Sequence, residues 1–352
     1  MPPTLSRHSP LLALGALASI ALLACGSPGG STSSSTGQGT GGSASVSSSG
    51  ATSVSSTGST STSSSSSSSS ASVSSSSSSS STSGGSSSSS GAVWAPGASA
   101  PIHFHWMIGS FTTADILPGQ AGPVVYDIDG QSATAADVAA IHAAGAIAVC
   151  YVDVGTLEPE RPDVASFPAS VVGPAVQGWP GEKWLLATAA NQSVLLPLMQ
   201  ARFAEWCQGK GFDGIEADNL DAWTNISGVT EADNLAYDLA IAGLAHALPL
   251  SIGLKNVMTD LDPSQYPSFL SAFDWALNEQ CYEYGECGTY TAAGSFIPAG
   301  KAVFDVEYNV APDCAQANLA HLNAQETDLD LVGATASGYA YTPCIPDAQT
   351  TW

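Results

Sequence analysis

Carboxylates, carboxamides and one lysine recur at matching places along this sequence, each time where a short apolar run stops. The runs end in Asp127 and Asp129; in Tyr151 and Asp153, with Glu158 close behind; in Glu216, Asp218, Asn219 and Asp221; in Lys255 and Asn256; in Asn278, Glu279 and Gln280; and in Glu307 and Tyr308. Charge scattered over a solvated surface has no reason to gather there. Two carboxyls in different surroundings, one protonated and one ionised near neutral pH, can protonate a leaving oxygen and attack the carbon it leaves. Cleavage of a glycosidic bond asks for that pair. Asp218 and Glu279 suit the division, because they close apolar runs two apart in the series: Asp218 as nucleophile, Glu279 as acid/base. Asp127, Tyr151, Asp153, Glu158, Glu216, Asn219, Asp221, Lys255, Asn256, Glu307 and Tyr308 are the surrounding substrate-binding candidates. Lys255 has two readings: an ion pair that holds Asp218 ionised, or a structural partner of Asp221 or Glu216. Tyr151, Trp106 and Trp223 can stack on sugar rings or pack in the core; Tyr151, just before a rim loop, is the best placed to stack. Asp153 and Glu158 are expected to meet ammonium groups. His103 and His105 alternate along one run and are read as structural.

Strands sharing a common end must position these groups. The apolar runs fall at 102–108, 123–128, 146–152, 214–217, 250–254, 273–277, 302–306 and 329–333. Helical stretches at 133–144, 194–210, 231–247, 263–271 and 314–325 lie between them, and no helix is evident between the sixth and seventh runs. The alternation argues for α/β with parallel strands. Eight strands in about 260 residues point to a (β/α)8 TIM barrel, in which chemistry sits at the C-terminal strand ends.

Composition divides the chain in three. Residues 1–25 read as a lipoprotein signal peptide: Arg7, an apolar run from Leu11 to Leu23 too short to span a bilayer, then Leu22-Leu23-Ala24-Cys25, with Cys25 the lipidated residue. Residues 26–92 are almost all Ser, Gly, Thr and Ala and are expected to be a disordered tether. Residues 93–352 form the barrel. The protein is therefore expected to be exported, anchored to the bacterial cell envelope by its lipid or secreted, and monomeric, with no other membrane contact. Six further cysteines suggest disulfides: Cys281 with Cys287, Cys314 with Cys344, and by elimination Cys150 with Cys207. No CxxC or HxxxH spacing appears, so neither metal nor cofactor is expected. The formal net charge is −23, from 30 acidic and 7 basic residues, and every acid lies at or beyond Asp115. Such a surface repels nucleic acid and attracts a polycation, although it also serves simply to keep an exported protein soluble.

Several strings resemble glycoside hydrolase family 114. They are Cys150-Tyr151-Val152-Asp153-Val154-Gly155, Glu158, Arg161-Pro162-Asp163, Gly178-Trp179-Pro180-Gly181-Glu182-Lys183-Trp184, and Gly211 to Asp221 (GFDGIEADNLD). Gly253-Leu254-Lys255-Asn256, Asn278-Glu279-Gln280-Cys281, Gly300-Lys301 and Val306-Glu307-Tyr308 complete the set. They occur in the family's order across nearly the whole domain. The resemblance implies a (β/α)8 barrel acting as an endo-α-1,4-polygalactosaminidase on a galactosamine polymer at least partly deacetylated, and it points to the same Asp218–Glu279 pair. Asp153 stands where Ser is usual, Ala217 where Pro is common, and Leu186 where an Asp often follows; none of these removes either acid. Barrel enzymes on other α-linked sugars often carry a nucleophile after strand four and an acid/base after strand six, so retention of configuration is expected by analogy. The alternatives are a carbohydrate-binding barrel without turnover, or the same chemistry on another polysaccharide.

Overall fold

Local signals start the helices. The Thr134 hydroxyl accepts from the Asp137 amide at 3.2 Å while the Asp137 carboxylate accepts from the Thr134 amide at 2.9 Å, a reciprocal cap. Thr230 and Asp313 cap two later helices through their side-chain oxygens. The computed structural model describes residues 93–345. The expected signal peptide, Cys25 and all of the Ser-rich tether lie outside the described residues.

The strands are β1 (His103–Trp106), β2 (Val124–Asp129), β3 (Ile147–Asp153), β4 (Thr156–Leu157), β5 (Val172–Ala175), β6 (Lys183–Leu185), β7 (Gly214–Asp218), β8 (Ser251–Lys255), β9 (Trp275–Glu279), β10 (Val303–Glu307), β11 (Asn323–Thr327) and β12 (Tyr341–Pro343). The helices are α1 (Ala135–Ala143), α2 (Ala189–Arg202), α3 (Ala222–Asn225), α4 (Glu231–Ala247), α5 (Tyr266–Ala272), α6 (Cys281–Tyr284), α7 (Gly288–Thr291) and α8 (Cys314–Ala320). Eight strands run parallel in the order β1-β2-β3-β7-β8-β9-β10-β11, and β12 adds antiparallel to β11. Across the seam the Ile102 amide donates to the Asn323 carboxamide oxygen at 2.8 Å and the Gly109 amide to the Leu331 carbonyl at 3.0 Å. This is the expected (β/α)8 barrel, nearly closed.

Two elements differ from expectation. Residues 329–333 form a loop, and the eighth strand is β11, which begins inside the stretch expected to be helical and runs past its end. Helix α8 stops at Ala320, where His321 takes a left-handed conformation with φ 60°. The Asn-Ala-Gln-Glu-Thr run is too polar to read as a barrel strand. Asn323 nevertheless belongs there, because its side chain also donates to the Val303 carbonyl at 3.1 Å and so ties backbone groups at the seam. The second difference is a small antiparallel sheet, β4-β6-β5, inserted between β3 and α2.

The N-terminal half of the barrel is plugged. Phe104 and Phe304 stack with centroids 4.4 Å apart and Trp275 sets its edge against Phe304 at 5.7 Å. Gly253 on β8 makes the room, since a Cβ there would fall 2.4 Å from the Trp275 ring. Disulfides join Cys150 to Cys207, Cys281 to Cys287 and Cys314 to Cys344. With the N-terminal half packed solid, the main cavity among the described residues opens at the C-terminal strand ends.

Candidate active site

Strand pairing carries on past the apolar runs, so Asp218, Lys255 and Glu279 are the last residues of β7, β8 and β9. Immediately after each, the chain turns through a left-handed residue: Asn219 at φ 60°, Asn256 at φ 57° and Gln280 at φ 63°. Asn tolerates that region better than most side chains. The same turn made three times leaves acid, lysine and acid at the barrel mouth while the backbone departs.

Lys255 occupies the middle strand of the three and is 2 % exposed. Its ammonium lies 3.0 Å from Glu216 Oε1, 3.1 Å from Asp218 Oδ1 and 3.2 Å from Glu279 Oε2, over the Trp106 ring at 4.4 Å. Burial alone would depress its pKa, but the Asp218, Glu279 and Glu216 carboxylates together outweigh burial and hold it well above the usual lysine value. Lys255 thus meets Asp218 and Glu216, partners that the two readings named, and Glu279 as well. The two candidate catalytic oxygens can be no more than 6.3 Å apart, the 3.1 and 3.2 Å contacts laid end to end.

Each acid has further donors. The Tyr151 hydroxyl donates to Asp218 Oδ2 at 3.1 Å; the Tyr308 hydroxyl donates to Glu279 Oε1 at 2.6 Å and the Asn256 amide to Glu279 Oε2 at 3.0 Å. Burial first, then the adjoining carboxylate, pushes both tyrosine hydroxyls well above the usual range, so they stay protonated as donors. Tyr151 therefore positions Asp218, and Trp223 packs against the core.

Asp127 and Glu216 are fully buried and do not line the pocket. Glu216 receives the Trp106 indole N–H at 2.8 Å as well as Lys255. No donor is directed at either oxygen of Asp127. Burial, then the neighbouring Glu216 charge, raises its pKa well above the carboxylate range. These two expected substrate-binding residues support the floor from below. Glu307 is also out of place for that role. Side chains alternate across a strand, and it faces outward, accepting from the Tyr282 and Glu283 amides at 2.6 and 3.4 Å. It caps α6, and burial pushes its carboxyl up to about 7.

Asp153, Glu158, Asn219, Asp221, Asn256 and Tyr308 do line the pocket, but several are already engaged. Asp153 accepts from the Gly155 and Thr156 backbone amides and the Asn219 side-chain amide, and meets the Thr156 hydroxyl. Glu158 is held by Arg161 at 2.5 and 2.7 Å, and the same guanidinium reaches Asp129 at 2.6 Å. Asp163 holds Arg202 at 2.7 and 3.0 Å. The Arg161-Pro162-Asp163 string thus anchors the inserted sheet. That sheet brings in wall residues the sequence did not single out for the site: Glu160, Trp179, Glu182 and Trp184. Glu182 lies 2.6 Å from the same Thr156 hydroxyl, which has one proton for the two carboxyls and so donates to one and accepts from the other when that one is protonated; burial pushes the Glu182 carboxyl up to about 7, helped by the Glu158 and Asp218 charges. The signal for these residues was the GWPGEKW string itself, whose two glycines sit at φ 91° and 92° in a turn. One group of metal-ligating types comes together among the described residues, Cys281, Cys287 and Asp305, and its two sulfurs are bonded to each other.

The model of a family described as glycoside-hydrolase family GH114 matches residues 85–338. Ega3 of Aspergillus fumigatus, solved in complex with galactosamine, is similar at 28% identity, covering 70% of this chain and 98% of that one, with a TM-score of 0.56. The glycoside hydrolase domain of PelA from Pseudomonas aeruginosa matches at 15% identity over 68% of this chain and 98% of its own, with a TM-score of 0.47. A comparison with curated proteins finds no match.

Proposed function

This chain belongs to glycoside-hydrolase family GH114, and from that premise we propose that its barrel is an endo-acting hydrolase of α-1,4-linked galactosamine polymer, with Asp218 as nucleophile and Glu279 as acid/base. That the chain is a glycoside hydrolase follows from the family. The finer reading draws on the likeness to Ega3, which was solved with galactosamine, and on the charge of the pocket. Seven carboxyl side chains and a single lysine line it, a surface suited to a polymer bearing ammonium groups.

The observation that carries the proposal is the Lys255 bridge. One cation contacts both acids, at the end of the barrel opposite the Phe104, Phe304 and Trp275 plug. Retaining pairs stand about 5–5.5 Å apart and inverting pairs roughly 6.5–9.5 Å. A ceiling of 6.3 Å between the bridged oxygens favours retention.

In the first step an Asp218 oxygen attacks the anomeric carbon. The bond to the leaving oxygen breaks, and that oxygen takes the Glu279 proton. In the second, Glu279 removes a proton from water, water oxygen bonds to the anomeric carbon, and the Asp218 ester bond breaks. Inversion twice restores the α configuration. Tyr308 suits this cycle, because a hydroxyl accepts as readily as it donates. It donates to Glu279 when the carboxylate is ionised and can receive its hydrogen bond when it is protonated. Three disulfides fit an exported protein, and lipidation at Cys25, with residues 26–92 as tether, completes the proposal.

Incubation of the protein with purified polygalactosamine, with and without N-acetyl groups, and mass analysis of the products tests the reading. Internal fragments several units long, richest from the deacetylated polymer, are the expected products. An intact polymer beside cleavage of a neutral glycan would contradict it. Proton NMR at early times should show the α anomer first.

A further inference from the structure

Trp179 is 50 % exposed, the one aromatic side chain among the exposed large apolar residues described. An indole carries a large apolar face with a polar handle, and here half of it stays open to solvent. The turn that carries it is fixed. The Val176 amide donates to the Glu182 carbonyl at 3.0 Å and the Glu182 amide to the Trp179 carbonyl at 3.3 Å. Gly178 and Gly181 supply φ of 91° and 92°, which few other residues adopt cheaply. Gly181 also seats against Pro159, whose Cγ would lie 3.0 Å from an added Cβ. The indole is therefore presented by the turn and not left over from poor packing.

It is presented to the cleft. Trp179 lines the same pocket as Asp218 and Glu279. A continuous path of contacts joins it to the acids: Asp153 pairs with Asp218 across β3 and β7, the Thr156 hydroxyl bridges Asp153 to Glu182, and Glu182 lies three residues on from Trp179 in the turn. The C–H face of a pyranose packs on an aromatic face, and an ammonium group on that sugar gains from the ring's quadrupole.

We propose that Trp179 is a stacking platform for a hexosamine unit of the polymer at least one residue away from the bond being cut, with Glu182 beside it to meet that unit's amino group. The inference rests on the reading of the barrel as a hydrolase of galactosamine polymer and adds a subsite to it. A ligand gains from this platform only when it is long enough to reach from the acid pair to the inserted sheet. The β5–β6 turn thus selects polymer over short fragments.

Binding without turnover provides the test. In the full-length Asp218→Asn protein, galactosamine oligomers of increasing length should bind progressively more tightly and perturb tryptophan emission. Adding Trp179→Ala should abolish most of that gain with length, a loss of roughly tenfold for the longest oligomers, which is what truncating one aromatic anchor typically removes. Trp179→Phe should keep most of it, and Trp179→Gln, polar at an exposed turn, should repeat the loss. Circular dichroism melting at the parent temperature would show that the turn variants are folded. If affinity rises with length as steeply after Trp179→Ala and Trp179→Gln as before, the platform is wrong while the substrate reading stands. If the Asp218→Asn protein binds no galactosamine oligomer of any length, the substrate reading fails and this inference fails with it.

Discussion

The Lys255 ammonium lies 3.1 Å from Asp218 Oδ1 and 3.2 Å from Glu279 Oε2. It is the last residue of the strand between theirs, so the barrel's own register sets the spacing of the acid pair. With Glu216 below it at 3.0 Å, one buried cation serves three carboxylates.

Removing that cation is expected to cost both stability and rate. Lys255→Met leaves Glu216, Asp218 and Glu279 facing one another without a counter-ion. Breaking a buried pair on one side typically destabilises by about 3–5 kcal/mol. Denaturant unfolding should show a loss of that order, and the folded fraction should turn over polymer at least 10²-fold more slowly. A stable and active Lys255→Met protein would mean that the bridge does not organise the site.

The donors on Glu279 can be separated from its backbone. Tyr308→Phe removes the 2.6 Å hydrogen bond and nothing else from the carboxylate. Hydrogen bonds to charged groups are worth roughly 1.5–3 kcal/mol, so turnover should fall about 10- to 100-fold. Unaltered kinetics would remove Tyr308 from the acid/base step.

Asn256 serves twice, as a donor to Glu279 and as a left-handed residue at φ 57°. Asn256→Gly and Asn256→Ala lose the same side-chain bonds, but only Ala meets the left-handed strain, about 1–2 kcal/mol. Thermal melts should rank wild type above Gly and Gly above Ala. An Ala variant as stable as the Gly variant would show that the turn relaxes.

Stability should fall as pH rises. Glu182 and Glu307 have their carboxyls pushed from 4.5 to about 7 by burial. Between those values the folded state holds protons that the unfolded chain has released, so stability decreases with pH across that window and is greatest below it. Melts at pH 5 and pH 8 should show the higher temperature at pH 5, with a smaller difference in Glu307→Gln. A melting temperature that climbs through the window would contradict these environments.

The sequence displayed the barrel and its working rim because parallel buried strands read as apolar runs, and because the rim acids, amides and lysine stand directly at their ends. It placed strand ends one or two residues early, since Asp218, Lys255 and Glu279 look like loop residues although their backbones still pair. Direction was harder to see. Asp127 and Glu307 both sit at strand ends, yet one points down into the barrel and the other out toward α6, and only the pleat decides. The walls were hidden for another reason. The inserted sheet is made of two- to four-residue strands held by Arg161 and Arg202, too short for any hydrophobic period to register. Trp179 and Glu182 therefore entered the cleft from a segment that reads as a loop.

The central claim is the pair itself, and the turnover of polygalactosamine by Asp218→Asn and Glu279→Gln tests it most directly. Each substitution keeps shape while removing a nucleophilic charge or a transferable proton. General acid–base assistance is typically worth about 10²–10⁴-fold. Each folded variant is expected to lose at least that much turnover with little change in melting temperature. A folded Asp218→Asn or Glu279→Gln protein that cuts the polymer at the wild-type rate would contradict the account.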